Sequence, residues 1–187
     1  FFTGQFREGV TLLSRALDLA RYLGEPETFW AAATAWLSAV TGPQHVEERL
    51  QLTEELLKQP RAGVRMVVRY WAFPFMVHSF LEGGQRHRAE ELLAEYQDVA
   101  KRTGQANLLL VSMSFNAAKA TLDGQLEKAA EIVQRILTLG EEIGLAQFAT
   151  VQAALSLRPL LYLGKAEDAL QIVNSWIFPA PKAVCLA

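Results

Sequence analysis

A chain of 187 residues, half of them apolar and a fifth charged, is long enough to bury a core and too apolar to be disordered. Its formal net charge of −2 excludes a global field that would draw it to nucleic acid or an anionic membrane. A single cysteine, Cys185, excludes an intrachain disulfide and fits a reducing compartment. The chain opens on Phe1-Phe2-Thr3-Gly4, without a basic leader or cleavage site, and its apolar runs are too short to span a bilayer. Cys185 has only two residues after it, too few for a prenylation box. These features lead us to expect a cytoplasmic piece of a longer protein, with no membrane contact.

Glycines punctuate the chain in order. Gly4, Gly42, Gly84, Gly124 and Gly164 stand 38, 42, 40 and 40 residues apart. Five residues beyond each stands Gly9, Glu47, Ala89, Ala129 or Ala169, small in four of the five, and eight beyond stands Leu12, Leu50, Leu92, Ile132 or Ile172. A small residue followed by an apolar one three later, and mostly another four later, is the buried stripe of an amphipathic helix. A second register agrees: Gly24, Gly104 and Gly144 lie twenty residues after their repeat glycine, and Pro60 lies eighteen after Gly42. Glycine just past a helix takes the left-handed cap, and proline cannot continue the helix.

Each unit therefore reads as helix, glycine turn, second helix, stop. Second helices are expected near 6–23, 45–58, 86–103, 126–143 and 166–177. First helices are expected near 27–41, 62–82, 105–122 and 146–163. No segment alternates with the period of a strand. The expectation is a nearly all-α structure of nine helices, or ten if the first residues are helical, in antiparallel pairs.

These residues resemble the tetratricopeptide repeat, in which a small residue sits midway along the first helix and a glycine turn leads to an alanine early in the second. Seven residues before the turn glycines stand Ala35, Val77, Ala117 and Leu157, small in two cases and enlarged in two. The resemblance runs from Gly4 to about Trp176, with a period near forty instead of the usual thirty-four. The longer form looks like the arrays of large bacterial signalling ATPases: LuxR-type ATP-dependent activators, antibiotic regulatory proteins and ATPase-linked adenylate cyclases. The stretches ALDLARYLGEP, TGPQHVEERLQLTEELL and AALSLRPLLYLGKAEDAL carry that likeness. It implies a right-handed superhelical solenoid of about five helix pairs over 1–178, with a proline-containing tail over 179–187.

By the same resemblance, a concave groove would be lined at Phe29, Ala32, Trp36 and Ala39, then at Trp71, Pro74, His78 and Leu81. Val111, Ser114, Ala118 and Thr121 would follow, then Val151, Ala154, Arg158 and Leu161. Phe29, Trp36, Trp71, His78, Ser114 and Arg158 are the candidate binding residues. The tryptophans could equally fill core between long helices, since large aromatics favour burial. Pro74 and Pro159 fall inside first helices, where each removes an amide donor and clashes with the carbonyl of Tyr70 or Leu155.

Signatures of chemistry are few. The sequence has no GxxxxGK[ST] phosphate loop and no HExxH, and its glycines follow no strand. His45, His78 and His87 lie in different helices or repeats, so no metal or other cofactor is expected. Glu54-Glu55, Glu90-Glu91 and Glu141-Glu142 point about 100° apart on a helix and mark solvated faces. Cys185 has no adjacent base. Arg61, Arg65 and Arg69 form a basic stripe at helical spacing, read as a solvated face or as partners of neighbouring glutamates more readily than as a nucleic-acid surface.

The expected function is a non-catalytic interaction or regulatory module, with a small-molecule inducer sensor as the alternative. Its partner would be a protein, a peptide or a neighbouring domain. The ends are apolar: Phe1, Phe2 and Phe6 at one, Trp176, Ile177 and Phe178 before Pro179 and Pro181 at the other. Without a polar cap, pairing of two copies through one end is expected.

Overall fold

A computed structural model describes residues 6–177; Gly4, the apolar residues Phe1, Phe2 and Phe178, and the tail from Pro179, including Cys185, lie outside the described residues, as do the side chains of Phe6, Trp176 and Ile177. The described chain is all helical, with no strand. Its elements are α1 (Phe6–Leu23), α2 (Pro26–Ala39), a 3-10 turn (Pro43–His45), α3 (Val46–Lys58), α4 (Met66–Glu82), α5 (Arg86–Thr103), α6 (Ala106–Leu122), α7 (Leu126–Glu142), α8 (Ala146–Ala154), α9 (Arg158–Tyr162) and α10 (Ala166–Ile177). Two compact units divide it within the sequence of α5, one ending at Tyr96 and the other beginning at Gln97.

The turns follow from backbone geometry. Every described residue with positive φ is a glycine. At Gly84 (φ +71°) the amide of Gln85 reaches the Phe80 carbonyl at 2.8 Å and that of Gly84 reaches Leu81 at 3.1 Å. This is the double-bonded C-terminal cap, and the same two bonds recur around Gly124, Gly144 and Gly164.

Gly42 departs from this pattern. Its φ of +123° and ψ of 155° lie far from the left-handed helical region, and the 3-10 turn Pro43–His45 follows before α3 begins. Those extra residues shift the register by two. The spacings of 38 and 42 around Gly42 thus conceal one period of forty, with Gln44 at the repeat position. This corrects the sequence register at two places. Leu37, not Ala35, is the buried mid-helix residue of α2. Arg49, not Glu47, falls in line with Ala89, Ala129 and Ala169, and all four are buried.

In the first unit α2 packs against α1, α3 and α4. Trp30, Leu37, Val40, Leu56, Phe73, Met76, Val77 and Phe80 form its interior. Tyr70, Phe73 and Tyr96 make a ring cluster with centroids 5.7–6.4 Å apart. Burial raises the Tyr96 hydroxyl above its ordinary value. Arg49, 1 % exposed, donates from Nη1 to the carbonyls of Leu37 and Val40, the latter at 2.7 Å, and from Nε to Glu82 at 3.0 Å. One guanidinium thereby satisfies carbonyls at the end of α2 and ties α2, α3 and α4 together.

The second unit crosses its helices on small residues. Ala117, Ala149 and Ala153 are fully buried around Leu110, Val133, Ile136 and Leu160, and Ala129 of α7 is fully buried too. A Cβ placed on Gly140 of α7 would stand 2.1 Å from that of Ala149 in α8.

The prolines behave differently. Pro74 lies within an unbroken α4. Pro159 divides the helix expected over 146–163, so that α8 ends at Ala154 and α9 begins at Arg158. Ten helices thus arise among the described residues from this break and not from an extra element at the start. Ser156 donates its hydroxyl to the Gln152 carbonyl at 3.1 Å, occupying one of the acceptors freed by the break. The first turn expected at 62–65 is also absent: Gly63 adopts φ +81°, and α4 starts at Met66.

Candidate functional site

An open cleft of about 510 Å3 lies in the first unit between α1, α2 and the start of α4. Ala16, Leu19, Ala20 and Leu23 of α1 form one wall, Thr28, Ala31 and Ala32 of α2 the other, and Val68 one end. The walls exist because α1 carries two apolar faces. Leu17 and Ala20 are buried, whereas Leu12, Ala16, Leu19 and Leu23 are exposed. Gly9, Leu12, Ala16, Leu19 and Leu23 follow a 3-4-3-4 spacing, the seam of a helix that pairs with another helix. Across the gap, α2 presents small side chains that leave room for close approach.

The polar end is held by a glutamate that joins two helices. Glu27 accepts the Arg65 backbone N–H at 2.9 Å and its Nε at 2.6 Å. The Arg65 backbone amide first, and then its guanidinium, hold the Glu27 carboxyl below the ordinary carboxylate value. Since Arg65 caps α4, Glu27 anchors the start of α4 to the first turn of α2. Glu25 accepts the Thr28 hydroxyl at 2.5 Å. Among the described residues that line the cleft there is no His, Cys or Lys. The arrangement offers methyl surface along both walls and two carboxylates at one end, one of them paired with Arg65.

The candidate residues read from sequence divide as follows. Phe29 and Trp36, assigned to an open groove, are buried within the first unit, and the Trp36 indole donates to Ser14 Oγ of α1 at 3.1 Å. The two-residue shift explains this: the α2 positions in register with Trp71 and His78 are Ala31 and Ser38, both exposed. Trp71 is 55 % exposed on α4. His78 is exposed one further seam along the same helix, with Nε2 3.3 Å from Glu82, the carboxylate that also holds Arg49. In the second unit, Ser114 is half-buried and its hydroxyl meets the Gln152 side chain at 3.1 Å, while Arg158 is exposed at the start of α9.

The basic stripe is not one surface. Arg65 holds Glu27, Arg61 pairs with Glu95, and Arg69 lies 5.5 Å from the Tyr70 ring. Among the described residues no helix is long and apolar enough to cross a membrane, and no three His, Cys, Asp or Glu side chains converge as a metal site. Sequence reasoning missed Ala31, Leu23 and Arg65 as cleft residues. The 3-4-3-4 seam of α1 was the signal that could have found the α1 wall. No family model matches the chain, and comparison with curated proteins and with solved structures finds no match.

Proposed function

We propose that this chain is a non-catalytic, tetratricopeptide-like interaction and regulatory module of a larger bacterial signalling or transcription-regulatory protein, acting in the cytoplasm. Its helix pairs stack as a right-handed solenoid of about five pairs, and the α1/α2 cleft is where it receives a helical segment. The observation that carries this reading is the forty-residue recurrence of buried crossing positions at 49, 89, 129 and 169, with like capping turns at Gly84, Gly124 and Gly164. A helix pair that recurs in this way buries its faces only against neighbours, and each unpaired face becomes a surface for another helix.

Two measurements test it. Small-angle scattering should give the elongated distance distribution of a superhelix; a compact, near-spherical profile overturns the solenoid. A synthetic peptide of the α6 sequence, residues 106–122, should bind saturably by fluorescence anisotropy, because α6 is the type of helix that occupies such a groove. Ala31→Glu, at an exposed position on the cleft wall, should abolish that binding. Peptide binding that ignores Ala31→Glu sinks the assignment of the cleft.

The second reading, a small-molecule effector site, is favoured by the cleft volume of about 510 Å3, which lies in the range of ligand pockets. Its occupant would carry an apolar body, with hydrogen-bond donors toward Glu25.

A further inference from the structure

In the first unit three guanidinium groups lie against aromatic rings, and two of them hold a carboxylate as well. Arg88 stands 4.3 Å from the centre of the Phe80 ring and bonds both oxygens of Glu54. Arg61 stands 6.0 Å from the centre of the Phe73 ring and donates to Glu95 at 2.5 Å. Arg69, 5.5 Å from the centre of the Tyr70 ring, has no carboxylate partner among the described residues. Its Nη1 reaches the Arg61 carbonyl at 3.5 Å and its Nη2 the Tyr70 hydroxyl at 3.4 Å, both at the outer limit of a hydrogen bond. Its Nε is buried without any partner.

That resting position is a poor one for a guanidinium. The group is always charged and presents its Nε and Nη donors as a planar fork, which a carboxylate matches. A buried donor without an acceptor is rare, because it has given up hydration and gained no bond. Contact with a ring offsets part of that loss but does not use the fork. Charge is also out of balance: Arg69 reaches the backbone of Arg61, and the one carboxylate paired there, Glu95, belongs to Arg61. Two long bonds hold Arg69 weakly, so a better acceptor displaces it from the Tyr70 hydroxyl with little lost.

We infer that Arg69 anchors a carboxylate-binding site. The carboxylate of a ligand takes the Nε–Nη edge of its guanidinium, much as Glu54 takes the two Nη groups of Arg88. Binding turns the fork outward, gives Nε an acceptor and completes the ring-and-carboxylate arrangement that Arg61 and Arg88 already have. A singly charged carboxylate fits better than a phosphate dianion, because Arg61, Arg69 and Glu95 together leave one positive charge. The site goes beyond the α1/α2 cleft, whose lining includes Arg65 and Val68 but not Arg69. It is also apart from the exposed face of Trp71 and His78, since Arg69 stands about 200° around α4 from Trp71.

The test follows the arginine Nε–H signals of the isotope-labelled full chain by NMR at neutral pH, with Arg69 assigned by the loss of its signal in Arg69→Lys. The probes are sodium acetate and a penta-glutamate peptide, with sodium chloride at equal ionic strength as the control. The Arg69 signal should shift saturably with the probes and not with chloride. The signals of Arg61 and Arg88, which hold their own glutamates, should move about fivefold less. Saturation by the peptide at a concentration about tenfold or more below that of acetate marks an acidic segment of a protein as the source; similar saturation marks a free carboxylate. Arg69→Lys keeps the charge and loses the fork, so it should weaken binding by about tenfold, read from the backbone amides of residues 61–70. A shift that grows linearly with every salt, no saturable shift with either probe, or equal binding by Arg69→Lys overturns the proposal. So does saturation by sodium phosphate where acetate has no effect.

Discussion

The two units fill one repeat position differently, the second with alanine both times and the first with Ala89 once and Arg49 once. In the second, Ala129 and Ala169 stand where helices cross, and Gly140 against Ala149 shows how little space such a crossing leaves. In the first, forty residues before Ala89, Arg49 takes the position of those alanines and fills it with charge, satisfied by the Leu37 and Val40 carbonyls at the end of α2 and by Glu82. A small residue brings backbones together and gains from dispersion and burial. A buried guanidinium keeps them further apart and holds three helices through directional bonds, stabilising only while each partner stays in place. The comparison teaches that one repeat can be rebuilt by a two-residue register shift without losing the helix order, provided the larger side chain finds acceptors.

The largest expected effect comes from removing that side chain. Arg49→Ala should destabilise the chain by about 3–5 kcal/mol, because the carbonyls of Leu37 and Val40 and the Glu82 carboxylate lose their partner together. Denaturant unfolding measures it, and a loss below about 1 kcal/mol would show that the guanidinium is not structural. In the second unit, Ala129→Leu should cost about 1–3 kcal/mol by overpacking. Unchanged thermal stability there would mean that position 129 is not a crossing.

The prolines sharpen the contrast in the opposite direction. Pro74 sits in a continuous helix whose sides are held by Tyr70, Phe73, Met76 and Val77, so Pro74→Ala should stabilise by about 1–3 kcal/mol. Pro159 has already ended one helix and begun another, so Pro159→Ala should gain less than about 1 kcal/mol. Its signature should be slower hydrogen exchange around Ser156 and Leu157. Equal gains at both sites would show that the break at 155–157 is not the relief of the proline.

The smallest effect is electrostatic. Arg88, its guanidinium 4.3 Å from the centre of the Phe80 ring, bonds both Glu54 oxygens, one of them at 3.0 Å. That bonding holds the Glu54 carboxyl below its ordinary value of 4.5. A lowered folded value means that the stabilisation is fully present above about pH 4.5 and disappears as pH falls through the folded value. With both groups more than a third exposed, the pair contributes less than about 1 kcal/mol. Urea midpoints of Glu54→Gln and the unmodified chain should therefore differ slightly at pH 7 and converge in acid.

Much of this could be read before any fold was seen. The ends of α1, α5 and α10 coincide with the expected ranges, because left-handed glycines and amphipathic periodicity are local properties that need no partner. The break at 155–157 was half visible: Pro159 announced a lost hydrogen bond, but whether a helix bends or ends depends on what packs beside it.

The candidate site was harder to read. The seam of α1 was written in its leucines, yet the same pattern describes a buried helix until one knows which faces are covered. The sequence by itself determined the helices, their order and the period, since those follow from backbone conformation and from the spacing of apolar residues. Only the tertiary structure decided that Gly42 offsets the register by two, that Phe29 and Trp36 turn inward, and that Arg49 replaces an alanine. Each of those depends on acceptors and neighbours from other helices, and residue spacing does not encode which distant group will stand 3 Å away.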